Sequence, residues 1–124
     1  MPHELIQVQM RRYVLLTLFL LSSSASNAFD VAQYRQVRSS DSAKANPILE
    51  TFLNGVARGF IFANVQLERS GITQFYCQPA SLALNGSNLV HLVDGELARD
   101  STVRSDLPIE FVVMSALKRA FPCT

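Results

Sequence analysis

Apolar residues between positions 46 and 69 recur at intervals of three and four. This spacing places them on one face of an α-helix. Asn46-Pro47 supplies a favoured N-cap followed by a proline at the first helical position, and Gly71 is a typical helix stop. We therefore predict a helix from Asn46 to about Glu68. Its buried stripe is predicted to contain Phe52, Val56, Phe60, Ala63 and Leu67.

Small residues form a second line along the same segment, at Gly55, Gly59 and Ala63. In a membrane, such a line favours helix dimerisation. Glu50 and Arg58 interrupt the segment with charge and argue against a membrane span. We therefore expect the small residues to allow a close contact with another helix in a soluble domain.

A second helix is predicted to end near Arg99, with Asn85 or Ser87 as its N-cap. Before it, residues 72–84 form a connector. The apolar positions of this helix recur four residues apart, so it buries one face. These positions are Leu89, Val93 and Leu97, with Val90 alongside.

A last helix is predicted to begin near Asp106-Leu-Pro108 and to end before Pro122. Its predicted buried stripe is Ile109, Val113, Ala116, Leu117 and Ala120. Residues 29–38 are compatible with either a short helix or an extended arm. The pattern as a whole predicts an all-α fold, a small compact domain of about four helices.

The N-terminal segment has the three regions of a secretory signal peptide. Arg11-Arg12 precedes an apolar stretch at 13–21, and small polar residues at 22–28 end in Ser-Asn-Ala. The apolar stretch is too short to span a bilayer as a helix. We predict that residues 1–28 are cleaved after Ala28, which leaves a domain of residues 29–124 with no membrane segment. An uncleaved membrane anchor is the alternative.

The two cysteines, Cys77 and Cys123, both lie in the exported part. An even number of cysteines in an oxidising compartment predicts a disulfide. Closing a loop of this span contributes about 4 kcal/mol on loop-closure entropy. A metal site or a nucleophilic thiol is the alternative, but two cysteines without a Cys-x-x-Cys pairing make a weak metal set.

Composition and charge argue against a nucleic-acid partner. Hydrophobic residues make up 48% and charged residues 17% of the chain, which is typical of a globular protein. The formal charge is +1, and removal of residues 1–28 leaves nine basic and nine acidic residues. No run of basic residues and no alternation of basic and aromatic residues occurs, so we expect no nucleic-acid partner.

No catalytic motif is recognisable in the predicted mature domain. Its one histidine, His91, falls on the second predicted helix, where only Asp94 could share its face. This is a local pair and not a triad. We therefore expect a protein that is not an enzyme and that binds neither cofactor nor metal.

Three motifs follow one another along the mature chain. They are residues 52–60, Phe-Leu-Asn-Gly-Val-Ala-Arg-Gly-Phe, followed by Ala63-Asn64; residues 75–79, Phe-Tyr-Cys-Gln-Pro; and residues 108–123, which end in Phe-Pro-Cys. Together they resemble the Rap1a/Tai family of type VI secretion immunity proteins. The order and spacing of the motifs carry the resemblance over most of the mature chain. Many members carry an earlier cysteine pair that this chain lacks, with Tyr34 and Phe52 in that neighbourhood.

The resemblance implies a periplasmic helical protein that neutralises a peptidoglycan amidase injected by sibling cells. Such proteins occlude the active-site cleft of the toxin and often form homodimers. Aromatic and arginine side chains are frequent interface anchors. We therefore name two candidate contact segments, the polar connection 99–105 and the aromatic segment 74–76. Their candidate contact residues are Arg99, Asp100, Ser101, Thr102, Arg104, Gln74, Phe75 and Tyr76.

The sequence is compatible with two other functions. The first is a periplasmic acid-stress chaperone of the HdeA type, or another periplasmic binding protein, which would also be exported, helical and disulfide-bonded. Such a chaperone needs clustered carboxylates that open it at acid pH, and the acidic residues here are dispersed. The second is a small exported enzyme that acts on cell-wall fragments through His91 or a nearby acid.

Overall fold

Four α-helices follow one another along the chain. The computed structural model describes residues 29–40 and 45–124. The helices are α1 (Val31–Ser39), α2 (Ala45–Arg69), α3 (Gly86–Arg99) and α4 (Ile109–Ala120). The described residues contain no strand, and Asp30 and Pro108 form an isolated antiparallel bridge. The predicted all-α fold of about four helices is confirmed.

Residues 29–38 adopt the helical alternative. The Asp30 carboxylate accepts a hydrogen bond from Gln33 N at 2.8 Å, and Gln33 Oε1 accepts one from Asp30 N at 3.1 Å. This reciprocal capping satisfies two donors that would otherwise lack partners at the helix start. Val31 and Tyr34 lie in the core. The cap and the buried pair together explain why the segment is a helix and not an arm.

The start of the domain is held without a second disulfide. The ring of Phe29 packs against that of Phe52 with centroids 5.0 Å apart, which joins the segment before α1 to α2. The Tyr34 hydroxyl donates a hydrogen bond to Asp94 Oδ1 at 2.7 Å, which joins α1 to α3. Tyr34 and Phe52 therefore provide contacts that hold the start of the domain against α2 and α3.

The buried face of α2 is displaced from the predicted stripe. Leu49, Leu53, Ala57 and Asn64 are buried, whereas the predicted stripe residues are only half-buried. Both rows have the three- and four-residue spacing of a helix face, or its sum of seven, so periodicity alone does not fix which row lies at the centre of the contact. The predicted stripe lies at the edge of the core and not in its middle.

The expected close helix contact at Gly55 and Gly59 is wrong. Both glycines are exposed, and a Cβ added at either would meet nothing within 4 Å. The close approach occurs at Gly86, the first residue of α3. A Cβ there would lie 2.5 Å from Cβ of Glu50 and 2.7 Å from its carbonyl oxygen. Gly86, and not the line of small residues, lets α2 and α3 approach each other.

The central helix is α3, which packs against both α2 and α4. Asn85 is its N-cap, and the Asn85 side chain accepts a hydrogen bond from Asn88 N at 2.9 Å. The predicted stripe of α4 needs one correction, because Ala120 is exposed and Val112 is buried instead. The remaining four predicted positions of α4 are buried.

The predicted disulfide between Cys77 and Cys123 is confirmed, with an S–S distance of 2.01 Å and Cα atoms 4.9 Å apart. It joins the connector after α2 to the residues that follow α4. Within the described ranges, no helix combines the length and apolarity needed to cross a membrane. The predicted signal peptide, residues 1–28, lies outside the residues that the structure describes.

Candidate protein-binding surfaces

Backbone hydrogen bonds from the start of α1 hold the second half of the connection between α3 and α4. Val31 N donates a hydrogen bond to the carbonyl oxygen of Leu107 at 3.0 Å, and Ala32 N donates one to that of Ser105 at 2.9 Å. Ile109 N in turn donates to the carbonyl oxygen of Phe29 at 3.0 Å. The N–H groups at a helix start need outside partners, and here the loop supplies them. The loop backbone is therefore part of the folded scaffold.

Local side-chain contacts order the first half of this loop. Asp100 Oδ1 accepts hydrogen bonds from the backbone N of Thr102 at 2.9 Å and from its hydroxyl at 2.6 Å. These bonds hold the pKa of Asp100 below its usual value. Arg104 forms an ion pair with Asp106, with Nε and Oδ1 2.9 Å apart, and lowers the pKa of that carboxyl. Four predicted contact residues thus lie in a preordered polar loop: Asp100, Ser101, Thr102 and Arg104.

Sequence reasoning missed an aromatic residue beside this loop. Phe111, in the first turn of α4, is 62% exposed. It lines a shallow pocket of about 270 Å³ together with Asp100, Thr102 and Val103. The sequence spacing predicts this exposure. Phe111 is two residues from the buried Ile109, so on a helix its side chain points away from the core. We call residues 99–106 together with Phe111 the loop surface.

The second predicted contact segment, residues 74–76, is held by Asn64. This buried side chain of α2 donates a hydrogen bond from Nδ2 to the carbonyl oxygen of Tyr76 at 2.8 Å. Its Oδ1 accepts one from Phe75 N at 2.9 Å. Tyr76 is only 1% exposed, so its side chain belongs to the core, while Phe75 is 47% exposed. Gln74 is half-buried and donates to Glu68 at 3.3 Å.

The two candidate segments lie at opposite ends of α4. The loop surface precedes and includes the first turn of this helix, whereas Cys77 is bonded to Cys123 beyond its last residue. A helix of this length spans about 18 Å. The structure therefore does not join the two segments into one contact surface.

The local pair proposed between His91 and Asp94 does not form. His91 is exposed on α3, and Asp94 instead accepts hydrogen bonds from the Tyr34 hydroxyl and from Arg38 Nη2, each at 2.7 Å. Burial and the Asp94 carboxylate raise the pKa of the Tyr34 hydroxyl, so this group remains a neutral donor. These contacts hold α1 against α3 and have a structural role.

A second ion pair holds α3 against α4. Arg119 contacts Glu96 through two hydrogen bonds, at 2.8 and 3.0 Å. The guanidinium lowers the pKa of the nearly buried Glu96 carboxyl. Among the residues for which the structure gives positions, no three His, Cys, Asp or Glu side chains are grouped as a metal ion would require.

Function must be inferred from the sequence motifs and from the geometry of these surfaces. The surfaces offer ordered backbone, exposed aromatic rings and arginine side chains, which is the chemistry of protein recognition. A comparison with known protein families, with curated proteins and with solved structures gave no match.

Proposed function

We propose that this chain is a periplasmic immunity protein that binds a peptidoglycan amidase delivered by type VI secretion and occludes its active-site cleft. In this proposal the chain is exported and cleaved after Ala28. The observation that carries it is the loop surface, a polar loop whose second half is held by α1, whose first half is ordered by Asp100, and which lies beside the exposed ring of Phe111.

Occlusion requires a surface that is ordered before the partner arrives. Ordering a loop on binding costs free energy, and a loop already held by hydrogen bonds avoids much of that cost. The loop surface also carries an aromatic ring and the guanidinium groups of Arg99 and Arg104. Such groups dominate the binding energy of many interfaces. No reactive side chain is needed, since the protein acts by filling a cleft.

The motifs that resemble the Rap1a/Tai family support the same proposal, because their residues build this scaffold. Asn64 holds the backbone of residues 75 and 76. Cys77 and Cys123 close the disulfide, and Pro108 occupies the N-cap position of α4. A member of that family would need these residues to keep the loop and the helices in place. The resemblance also implies a homodimer, which sedimentation equilibrium of the purified protein would test.

The experiment is a capture from the periplasmic extract of the species that encodes the chain. The full chain is expressed with its own N-terminus and tagged at its C-terminus, and its intact mass reports whether residues 1–28 are removed. The tagged protein should retain a cell-wall amidase at one-to-one stoichiometry, identified by mass spectrometry and by its activity on peptidoglycan. Retention of no amidase, or of many unfolded proteins at acid pH only, would contradict the proposal.

Matched variants assign the contact to the loop surface. Phe111→Asp changes an exposed side chain and should abolish capture without unfolding the domain. Arg35→Glu changes an exposed arginine on α1 and should leave capture unchanged. Equal capture by the wild type and by Phe111→Asp would show that the partner contacts another face.

A further inference from the structure

A groove runs along the second half of α2, beside the connector that the disulfide holds. It consists of two adjoining cavities of about 540 Å³ and 210 Å³. Both are lined by Ile61, Val65 and Gln78, so they share a wall. We call this feature the α2 groove. It contains no residue of the loop surface.

Apolar side chains from two separate elements line the α2 groove. Ile61 and Phe62 of α2 are 40% and 67% exposed, and Leu82 of the connector is 38% exposed. Single exposed apolar residues are ordinary on a protein surface. Several that converge on one groove are typical of a binding site, because their burial by a partner is favourable.

The charge along the α2 groove has one sign. Arg58 and Arg69 line its larger cavity, and no Asp or Glu lines either cavity. Neither arginine forms an ion pair with any residue that the structure describes. The neighbouring Glu68 accepts a hydrogen bond from Gln74 and does not line the groove. A partner segment with carboxylates would therefore complement the groove.

The spacing of the two arginines sets the length of that segment. They are eleven residues apart on α2, which returns them to nearly the same helix face with a separation of about 16 Å. An extended peptide rises about 3.3 Å per residue. Successive side chains of an extended peptide face opposite sides, so only an even spacing places two carboxylates on the side of the groove. Carboxylates four or six residues apart, about 13 or 20 Å, bracket this separation and would reach both guanidinium groups.

The smaller cavity adds two buried polar atoms without partners. The Tyr76 hydroxyl and Gln78 Oε1 have no hydrogen-bond partner among the described residues, and both side chains line this cavity. Tyr76 is 1% exposed. One atom is a donor and the other an acceptor, the two functions that a peptide backbone complements. A buried polar group left unpaired is costly, so a ligand that pairs it gains affinity.

We propose that the α2 groove binds an extended protein segment that carries two carboxylates four or six residues apart on one face, with apolar side chains between them on the same face. The arginines contact the carboxylates, and the apolar residues of the segment cover Ile61, Phe62 and Leu82. This inference does not depend on the amidase proposal, since the two surfaces share no residue. The groove is a second recognition site on the same domain.

The test uses fluorescence anisotropy with the full chain, purified after expression with its own N-terminus. The probe is a fluorescein-labelled peptide in which two glutamates flank alternating leucine and serine residues. We expect saturable binding that weakens as salt is added. A peptide of the same sequence with lysine in place of glutamate should bind at least tenfold more weakly.

Charge-reversed protein gives the decisive comparison. The double variant Arg58→Glu/Arg69→Glu changes exposed side chains and should bind the glutamate peptide at least tenfold more weakly, while it gains affinity for the lysine peptide. Arg35→Glu is the matched control and should bind like the wild type. Equal affinity of the wild type for the two peptides, or unchanged binding by the double variant, would overturn the inference.

The same variants distinguish a failure of the amidase proposal from a failure of the groove proposal. Amidase capture should be unchanged in Arg58→Glu/Arg69→Glu, because the loop surface is intact. Peptide binding should be unchanged in Phe111→Asp, because the α2 groove is intact. Loss of peptide binding in Phe111→Asp would contradict the assignment of the peptide to the α2 groove.

Discussion

Replacement of Asn64 tests how the segment that carries Phe75 is held. Asn64→Leu keeps the branching and the number of heavy atoms of the side chain but removes both of its hydrogen bonds. The carbonyl oxygen of Tyr76 and the N–H of Phe75 then lose their partners. Each unpaired buried group costs about 1–3 kcal/mol. The leucine regains about 1–2 kcal/mol by apolar burial. The free energy of unfolding should therefore fall by about 2–4 kcal/mol.

Asn64→Asp removes the hydrogen-bond donor of the Asn64 side chain and keeps its acceptor. The aspartate still accepts from Phe75 N but places a carboxylate oxygen against the carbonyl oxygen of Tyr76. Burial and this repulsion should raise the pKa of the new carboxyl in the folded state above its unfolded value of about 3.9. Once protonated, the carboxyl can donate to that oxygen. Stability of this variant should therefore rise as the pH falls through the folded-state pKa.

The wild type should show the opposite trend in acid. Arg119 lowers the folded-state pKa of Glu96, so the stability this pair contributes is present above the unfolded pKa. It is lost as the pH falls through the lowered folded-state pKa. Urea unfolding followed by circular dichroism at several pH values measures both trends. Asn54→Asp, on the same helix, is the control and should change stability by less than about 0.5 kcal/mol.

Two results for Asn64→Asp would contradict the role of the hydrogen bond that Asn64 donates to Tyr76. If Asn64→Asp is as stable as the wild type at neutral pH, the donor bond to Tyr76 contributes nothing. If its stability falls in acid in the way the wild type does, the carboxyl does not replace that donor when protonated. Either result would remove the hydrogen bond from Asn64 Nδ2 to Tyr76 from the contacts that hold the segment around Phe75.

Four further changes are expected to alter stability in defined directions. Cys77→Ser/Cys123→Ser removes a cross-link between residues 46 positions apart and should cost about 4 kcal/mol in urea unfolding under oxidising conditions. Gly86→Ala should cost about 1–3 kcal/mol, because its Cβ overlaps the backbone of α2, whereas Gly55→Ala should stabilise by up to about 1 kcal/mol. Tyr76→Phe removes an unpaired buried hydroxyl and should stabilise by about 1 kcal/mol while weakening binding of the glutamate peptide.

Each of these expectations has an outcome that contradicts it. Equal stability of the double serine variant and the wild type would mean that the cross-link does not constrain the unfolded chain. A stable Gly86→Ala protein would show that α2 and α3 do not approach at that residue. A clear loss of stability in Tyr76→Phe would show that the hydroxyl has a partner, and would remove one argument for the α2 groove.

The elements of the fold were predictable because their ends carry local signals. Asn85, one of the two predicted caps, caps α3, and Pro122 follows the end of α4 closely. The disulfide followed from the cysteine count and the predicted export. The predicted cap at Asn46 is wrong, because α2 begins at Ala45 and Asn46 is its second residue. Caps, prolines and glycines act over a few residues, so a single sequence contains the information needed to place them.

The packing was less predictable because it depends on partners distant in the sequence. The stripe through Phe52 and the row through Leu53 have the same period, and only the position of α3 decides which is buried. Gly86 looked like an ordinary residue after a cap, yet it contacts Glu50. Likewise, no local pattern shows that Asn64 holds the backbone of Phe75.

The candidate contact residues were also only partly predictable from the sequence. The sequence identified the loop after Arg99, and the predicted stripe of α4 leaves Phe111 off the buried face, but no local pattern shows that this exposed ring lies beside the loop. It grouped Tyr76 with Phe75, although alternate residues of an extended segment face opposite sides. Of the residues that line the α2 groove, only Gln74 and Tyr76 were predicted contact residues, because the walls come from a helix and a connector that become adjacent only in the folded chain.

The most direct test of the central claim is a titration of amidase activity. The amidase retained by the full chain is assayed on purified peptidoglycan with increasing amounts of the wild type, of Phe111→Asp and of Arg35→Glu. We predict complete inhibition at one equivalent of the wild type and of Arg35→Glu, and little inhibition by Phe111→Asp. Full amidase activity in the presence of excess wild-type protein would contradict the claim that this domain acts by occluding the cleft.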